Sequence, residues 1–235
     1  MPVRSNPISE IIDPTVKGTL NVLRSCKKNP SLRRVVLTSS LSTVRILAAG
    51  EFPTDNNNML DESFWSSEEV CRKNQLWYPL AKMEAEKEAW KFAKMNEIDL
   101  VTVVPGFIVG PNLSCHLSHT SSTVLQFFQG NCRAFEPLGR IGYVHIDDVA
   151  TCHVLGYENP SAHGRYLCSS TVLDYHQLTT VLSVVFPSIP FSKSSPPTNT
   201  PVYKFDTSKA AGLGVKFKGV EKMFRDSFDS LQKRI

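Results

Sequence analysis

Two residues near the middle of the chain have the types and the spacing needed to move a proton. In LWYPLAKMEAEKEAW, residues 76 to 90, Tyr78 and Lys82 stand four positions apart in a segment with helical character. That spacing places both side chains on one face of a helix. A free phenol has a pKa of about 10, and a neighbouring ammonium favours the phenolate. The pair is therefore a candidate proton donor, although an aromatic residue and a charge on adjacent turns would look the same.

A hydroxyl partner for this pair stands at the end of the run RRVVLTSS, where Ser39 and Ser40 follow β-branched residues. The run does not alternate with polar residues, so we expect a strand buried on both faces. Ligands of open parallel α/β sheets bind at the carboxyl ends of strands. During hydride addition a carbonyl oxygen gains negative charge, and Ser40 would hydrogen-bond to it while Tyr78 supplies a proton. A turn or a helix cap is the alternative interpretation of TSS.

The elements that position these residues alternate between helix and strand. The patterns predict a helix in IIDPTVKGTLNVLRSCKK, a strand in RRVVLTSS, a helix from about Tyr78 to Met95 and a buried strand in IDLVTVVPG. Later, YVHIDDVATCHVLGYE predicts a strand entering a helix, GRYLCSS a further strand, and VEKMFRDSFDSLQKRI an amphipathic helix. Residues 192–201 predict a surface loop. This order is typical of a parallel α/β sheet.

Composition and charge exclude several classes of protein. The 235 residues are 41% hydrophobic and 20% charged, which is typical of a globular protein. The net charge of +4 is spread without a basic block, so we expect no nucleic-acid partner. No apolar run reaches transmembrane length and no signal-type apolar core opens the chain. We expect a monomer or weak dimer in the reducing cytoplasm.

The cysteines and their neighbours predict neither disulfides nor a metal site. They are scattered without CxxC spacing, so a disulfide framework is not expected. Cys115 with His116 and His119, or Cys152 with His153, do not supply four ligands at a recognised spacing. The six cysteines are Cys26, Cys71, Cys115, Cys132, Cys152 and Cys168.

Taken in chain order, these pieces resemble the extended short-chain dehydrogenase/reductase family. Within it, the sequence is similar to the plant branch of dihydroflavonol reductases and cinnamoyl-CoA reductases. The segments that carry the resemblance cover nearly the whole chain: DPTVKGTLNVLRSC, RRVVLTSS, LDESFWSS, LWYPLAKMEAEKEAWKFA, IDLVTVVPGFIVGP, YVHIDDVA and SAHGRYLCSS. Cinnamoyl-CoA reductases carry NWYCYGK where this chain has LWYPLAK, and their later CoA-holding histidine is not evident in SSTVLQFFQG. These departures favour tetraketide α-pyrone reductase-like or phenylacetaldehyde reductase-like relatives.

The resemblance implies an NADPH-dependent reductase whose substrate is a small phenylpropanoid- or polyketide-type carbonyl compound. It implies catalytic roles for Ser40, Tyr78 and Lys82, the last also holding the nicotinamide ribose. His145 and Asp147 are expected to be structural. The residues that would bind the cofactor are Thr38, Ser39, Tyr78, Lys82, Pro105, Gly106, Phe107 and Val109.

The resemblance also implies an α/β fold with an incomplete Rossmann-type parallel sheet. Family members open with a strand and a VTGxxGxxx turn, and nothing like it occurs in the first hundred residues. About 75 residues, the first mononucleotide half, would be absent. Residues 1–111 would form the remaining NAD(P)-binding part. Residues 112–235 would form mainly a smaller substrate-binding lobe, with 141–150 and 164–170 returning to the Rossmann part.

Two further alternatives stay open at this point. An alternative start, a partial gene model or a truncated paralogue would each explain the missing turn. One alternative function is that of a truncated, non-catalytic fragment or paralogue, which keeps the substrate lobe but cannot bind a dinucleotide tightly. An epimerase or dehydratase on the same fold shares the serine, tyrosine and lysine, and the plant-reductase segments disfavour it.

Overall fold

The computed structural model describes residues 6–53, 58–131, 139–191 and 201–232. A π-helical turn, Ile8–Ile12, precedes α1, and a 3₁₀ turn, Leu41–Thr43, follows β1. The strands are β1 (Val35–Thr38), β2 (Met59–Leu60), β3 (Leu100–Pro105), β4 (Phe107–Val109), β5 (Ile141–His145), β6 (Gly164–Cys168), β7 (Thr171–Leu173) and β8 (Lys204–Phe205). The helices are α1 (Asp13–Lys27), α2 (Glu68–Lys73), α3 (Trp77–Met95), α4 (His119–Phe128), α5 (Ile146–Glu158), α6 (Tyr175–Val185), α7 (Ser208–Gly212) and α8 (Val220–Leu231).

A parallel sheet with the strand order β1-β3-β6 forms the centre of the fold. Its middle strand, β3, is buried along its whole length, as its run of valines predicts. The register pairs Thr38 with Val103, and Pro105 with Cys168, so the carboxyl ends of the three strands lie together. Helices cover both faces of the sheet, which gives the predicted α/β, Rossmann-type architecture.

Alternate residues along the strands face different helices. Val35, Leu37 and Leu100 pack against α1 and α3, through Leu23, Ala89 and Ala93 among others. Val36, Val101 and Val103 pack on the opposite face against α5. Because side chains alternate across a strand, Ser39 falls on the α3 side and Thr38 on the α5 side. This alternation decides which helix each residue of the TSS segment can meet.

The expectation that β1 is buried on both faces is wrong. Its three apolar residues are only partly buried and Thr38 is exposed. Within the described residues β1 has a strand on one side only, because β3 is its single partner. An edge strand keeps contact with solvent along its free side.

A second sheet and an aromatic core form the other part of the fold. β4 runs parallel to β5, and β5 pairs antiparallel with β7. Phe127, Phe128, Tyr175, Phe224 and neighbouring aliphatic side chains of α4, α6 and α8 pack against this sheet. The short strands β2 and β8 join in parallel beside it.

The main helices and strands that the patterns predict are confirmed, with differences at their edges. The helix α4, which begins at His119 and is capped by Ser118, is not among the predicted elements. The predicted loop at 192–201 lies outside the described residues except for Pro201. In the part of the chain that the structure describes, no helix is both long and apolar enough to cross a bilayer.

Candidate active site

Tyr78 and Lys82 lie one turn apart at the start of α3. Pro79 falls in the first turn, where its missing N–H costs no helical hydrogen bond, so the sequence YPLAK can open a helix. The Tyr78 side chain is 59% exposed. The phenol is thus open to solvent, and to a ligand, at the amino end of the helix.

The Lys82 ammonium reaches the end of the strand that leads to the serines. Its Nζ donates to the carbonyl oxygen of Thr38 at 2.9 Å. Burial lowers the pKa of Lys82 below its ordinary value, and the nearby negative charge of Glu86 opposes this. The bond therefore brings the positive charge of Lys82 to the carboxyl end of β1, as the tyrosine-lysine-serine arrangement requires.

The two serines of the TSS segment have different surroundings. Ser39 is buried, and its hydroxyl donates to Glu86 in the interior. Ser40 is partly exposed and caps the 3₁₀ turn, where its Oγ accepts from Ser42 N at 3.2 Å and from Ser42 Oγ at 2.9 Å. Both contacts use Ser40 Oγ as an acceptor, so its own proton is left for another partner. The cap and the candidate site are therefore compatible at Ser40.

A buried network under the serines was not recognised in the sequence. Glu86, one turn after Lys82 on α3, is 1% exposed. Its carboxylate accepts from Thr43 Oγ1 and Thr102 Oγ1, each at 3.1 Å, besides the Ser39 hydroxyl. Arg165 of β6 donates to it from Nε at 2.8 Å. The spacing of four from Lys82 was the one signal in the sequence that could have found it.

Thr38 is also bound from the other face of the sheet. Its Oγ1 lies 2.7 Å from His153 Nε2, while His153 Nδ1 lies 2.8 Å from the carbonyl oxygen of Val149. A carbonyl oxygen only accepts, so Nδ1 carries the proton and the neutral ring accepts the Thr38 proton at Nε2. This engages the side chain of Thr38, one of the predicted cofactor contacts, with α5.

The segment Pro105–Val109 passes from β3 into β4 at the carboxyl edge of the sheet. Pro105 is buried, and Gly106 N donates to the carbonyl oxygen of Cys168 at 3.0 Å. A Cβ on Gly106 would overlap the carbonyl group of Gly142, so only glycine fits this crossing. The Phe107 ring meets Tyr143 edge-on at 5.9 Å, and Val109 is buried in the aromatic core. The side chains of Pro105 and Val109 are therefore packed inside the protein.

His145 holds the start of α5 to α8. Its fully buried ring accepts the Asp147 N–H at Nδ1, at 3.0 Å, so Nε2 carries the proton and donates to Asp226 at 3.2 Å. Asp147 is exposed and lies 3.4 Å from Lys218 Nζ. His145 therefore links the start of α5 to α8, and Asp147 links α5 to Lys218, just before α8.

The cysteines and histidines do not converge. Among the described residues, no group of three or more His, Cys, Asp or Glu side chains is placed to hold a metal ion. No disulfide joins the described cysteines Cys26, Cys71, Cys115, Cys152 and Cys168, and Cys132 lies outside the described residues.

An open cavity of about 630 Å³ follows the serine turn along the chain. Its wall includes Leu47, Phe52, Pro53 and Val202 and is mainly apolar. The Phe52 ring is 6.0 Å from that of Tyr203, whose hydroxyl donates to the Arg140 carbonyl oxygen at 2.8 Å. This surface suits an apolar or aromatic molecule.

Comparison with known proteins agrees with this architecture. A model of the NAD dependent epimerase/dehydratase family matches residues 1–168. Tetraketide alpha-pyrone reductase 1 of Arabidopsis thaliana is 52% identical over 97% of this chain and 68% of its own length. Cinnamoyl-CoA reductase CAD2 of Medicago truncatula is 37% identical over 97% of this chain and 69% of its own length. The crystal structure of vestitone reductase from alfalfa superposes with a TM-score of 0.78 at 29% identity, covering 98% of this chain and 74% of that one.

The family model covers more than half of the chain, and the two relatives and the alfalfa structure align with 97 to 98% of it. The chain therefore belongs to the NAD-dependent epimerase/dehydratase family, in the plant branch of dihydroflavonol reductases, cinnamoyl-CoA reductases and tetraketide α-pyrone reductases.

Proposed function

We propose that this chain carries the catalytic residues of an NADPH-dependent reductase, with Ser40, Tyr78 and Lys82 acting on a phenylpropanoid- or polyketide-type carbonyl. The observation that carries the proposal is the bond from Lys82 Nζ to the Thr38 carbonyl oxygen. This bond places the Lys82 ammonium beside Thr38, two residues before Ser40, at the strand end where ligands of such sheets bind. Along α3, Lys82 lies one helical turn from Tyr78. The identity of 52% with a tetraketide α-pyrone reductase supports the substrate class.

The residues at this edge of the sheet fit the nicotinamide end of a dinucleotide. Lys82 offers a partly exposed ammonium for ribose hydroxyls, and the backbone of Pro105–Val109 lines the same edge. Bound NADPH supplies the hydride for carbonyl reduction.

The protein's own residues then manage charge and protons at the carbonyl oxygen. As the carbonyl carbon takes the hydride, the π electrons move to oxygen, and the Tyr78 hydroxyl gives this oxygen its proton. Lys82 stabilises the phenolate that remains. Ser40 donates its hydroxyl proton, which no contact within the serine turn uses, in a hydrogen bond to the same oxygen. This hydrogen bond lowers the energy of the charged transition state. Because Tyr78 is exposed, water can return the proton after the alcohol leaves.

The rest of the substrate would extend toward the apolar cavity beside Phe52 and Val202. We further propose a functional division of the chain. Residues 1–111 contribute the cofactor side, and 112–235 mainly the substrate side, with 141–150 and 164–170 belonging to the cofactor side. The pairing of β6 (Gly164–Cys168) with β3 supports the second of these returns.

The test is oxidation of NADPH, followed by absorbance, with aromatic aldehydes and tetraketide α-pyrones as substrates, alongside direct measurement of NADPH binding. Tyr78→Phe should lower kcat by about 100-fold or more, because it removes the proton and keeps the ring. Tyr157→Phe, on the exposed face of α5, is the matched control and should leave the rate unchanged.

The alternative, a non-catalytic chain, predicts a different pattern. NADPH would bind weakly or not at all, and Tyr78→Phe would behave like the wild type with every carbonyl. Equal rates in the wild type and in Tyr78→Phe would overturn the reductase proposal.

A further inference from the structure

The carboxylate of Glu86 joins both ends of the serine turn to the rest of the sheet. Ser39, just before Ser40, donates to it, and so does Thr43, three residues after Ser40. The Thr43 hydroxyl also lies 2.9 Å from the carbonyl oxygen of Ser40 itself. Ser40 is therefore flanked on each side by a residue whose side chain is fixed on one buried carboxylate.

Arg165 makes burial of this carboxylate possible. A buried unpaired charge is very costly, and Arg165, itself almost fully buried, contributes Nε at 2.8 Å. The same guanidinium donates to the carbonyl oxygens of Glu62 and Phe64 at 2.9 and 2.8 Å and stacks on the Trp65 ring at 3.9 Å. Five segments thus meet at one ion pair: the serine turn, the loop 62–65, α3, β3 and β6.

Stability alone does not explain why the Glu86–Arg165 ion pair is buried here. A buried ion pair is often replaceable by apolar side chains of similar volume without loss of stability. A charge at this point has a second effect, because Glu86 stands one turn after Lys82. Lys82 reaches the carbonyl of Thr38 and Glu86 reaches the hydroxyl of Ser39, so their side chains end on adjacent residues.

We propose that Glu86, balanced by Arg165, is a positioning residue for the reductase site, fixing the serine turn around Ser40 and sustaining the charge of Lys82. This deepens the proposed function and rests on it. Glu86 does not touch substrate or cofactor. It acts through Ser39 and Thr43 on the position of Ser40, and through its charge on the ammonium.

Within the described residues, the charge that acts on the pKa of Lys82 is that of Glu86. On α3 it is flanked by Tyr78 and Glu86, one turn away in each direction. From β1 it meets the uncharged carbonyl of Thr38, whose hydroxyl is bound by His153 of α5. On α1, which packs on α3, Asp13 is paired with Lys17. Burial lowers the pKa of Lys82 and Glu86 raises it, so removing the carboxylate should move this pKa further down.

The experiment measures Lys82 directly. Competitive acetylation over a pH series, with peptide mass spectrometry, gives the midpoint at which the partly exposed Lys82 amine becomes reactive. Glu86→Gln should move this midpoint to lower pH. Glu84→Gln is the matched control, since Glu84 lies on the same helix. Its carboxylate accepts a hydrogen bond from the surface residue Arg72 at 2.9 Å. Its midpoint should equal that of the wild type.

Glu86→Gln leaves Arg165 without its counter-charge and can lower stability. The double variant Glu86→Gln/Arg165→Met removes both charges and is measured in parallel. Thermal unfolding of the double variant should approach that of the wild type, while its Lys82 midpoint stays low. An unshifted midpoint in either folded variant would overturn the proposal. Failure of both variants to fold would assign Glu86 to stability alone and overturn it as well.

A kinetic arm separates this proposal from the reductase proposal. In an active protein, the double variant should lose about 10- to 100-fold in kcat, with little change in KM for the carbonyl. If wild-type protein reduces no carbonyl but the midpoint of Lys82 still shifts, the reductase proposal fails, and only the electrostatic effect of Glu86 on Lys82 stands. If the protein is active and the midpoint of Lys82 does not move, the reductase proposal stands and the positioning role of Glu86 fails.

Discussion

The Lys82 ammonium donates to the main-chain carbonyl oxygen of Thr38 across 2.9 Å and so ties α3 to the end of β1. A main-chain carbonyl is a fixed acceptor, because its position is set by the pairing of Thr38 with Val103 in the sheet. The charge is therefore held at the strand end before any ligand arrives. Such preorganisation is how a site stabilises developing charge without reorganising during the reaction.

Replacing Lys82 by methionine tests this arrangement. Lys82→Met keeps the apolar stem and removes the charge, so the reductase rate should fall by about 100-fold or more while the helix persists. NADPH oxidation and circular dichroism measure the two quantities. Lys94→Met, at an exposed position in the last turn of α3, should leave the rate unchanged. An equal loss of rate in both variants would count against a specific role for Lys82.

Gly106 tests the close crossing at the end of β3. In Gly106→Ala the new Cβ would lie 2.8 Å from the carbonyl carbon of Gly142, and backbone cannot move away as a side chain can. We expect a loss of about 1–3 kcal/mol in the free energy of unfolding. Gly18→Ala, inside α1 with no atom within 4 Å, should instead stabilise by about 0.5–1 kcal/mol. Urea unfolding measures both, and losses of similar size would contradict this interpretation.

The central elements could be predicted because their signals are local. The valine run of β3 and the pattern of α3 do not depend on distant residues, and their order specifies a parallel sheet. The half-burial of β1 depends instead on which strands lie beside it. The pairing of the three-residue β4 with β5 brings together segments more than thirty residues apart, and so short a strand carries little pattern of its own.

The candidate site divides in the same way. Tyr78 and Lys82 could be found by spacing on one helix. Glu86 shares a helix face with Lys82 by its spacing of four, but the burial of Glu86 rather than Glu84 or Glu88 depends on packing against β6. Its partner Arg165 is seventy-nine positions away and looks in the sequence like an ordinary surface residue of GRYLCSS.

The aromatic core predicts how strongly the second part of the fold depends on one ring. Phe127 is fully buried, stacks on Phe191 at 4.7 Å and meets Phe224 edge-on at 6.2 Å. Phe127→Ala leaves a cavity among these rings and should cost about 3–5 kcal/mol in the free energy of unfolding. Val184→Ala, at an exposed position of α6, should change it little. Indistinguishable urea midpoints for the two variants would contradict this account of the core.

The link between α5 and α8 gives the protein a defined response to acid. Lys222 donates to Asp226 at 2.7 Å and His145 donates to it at 3.2 Å, and these contacts, that of Lys222 first, hold the pKa of Asp226 below its ordinary value. A carboxyl with a depressed pKa in the folded state stabilises the protein above its unfolded pKa, which is about 3.9. That stabilisation is lost as the pH falls through the folded-state value. Asp226→Asn should therefore cost about 1 kcal/mol at pH 7, and its stability should converge with that of the wild type once the pH is below the folded-state pKa of Asp226. Asp229→Asn, at an exposed position of the same helix, controls for the loss of one charge, and urea unfolding at several pH values measures all three proteins. A gap between Asp226→Asn and the wild type that persists unchanged down to the acid limit would show that the contact stabilises the fold without its charge.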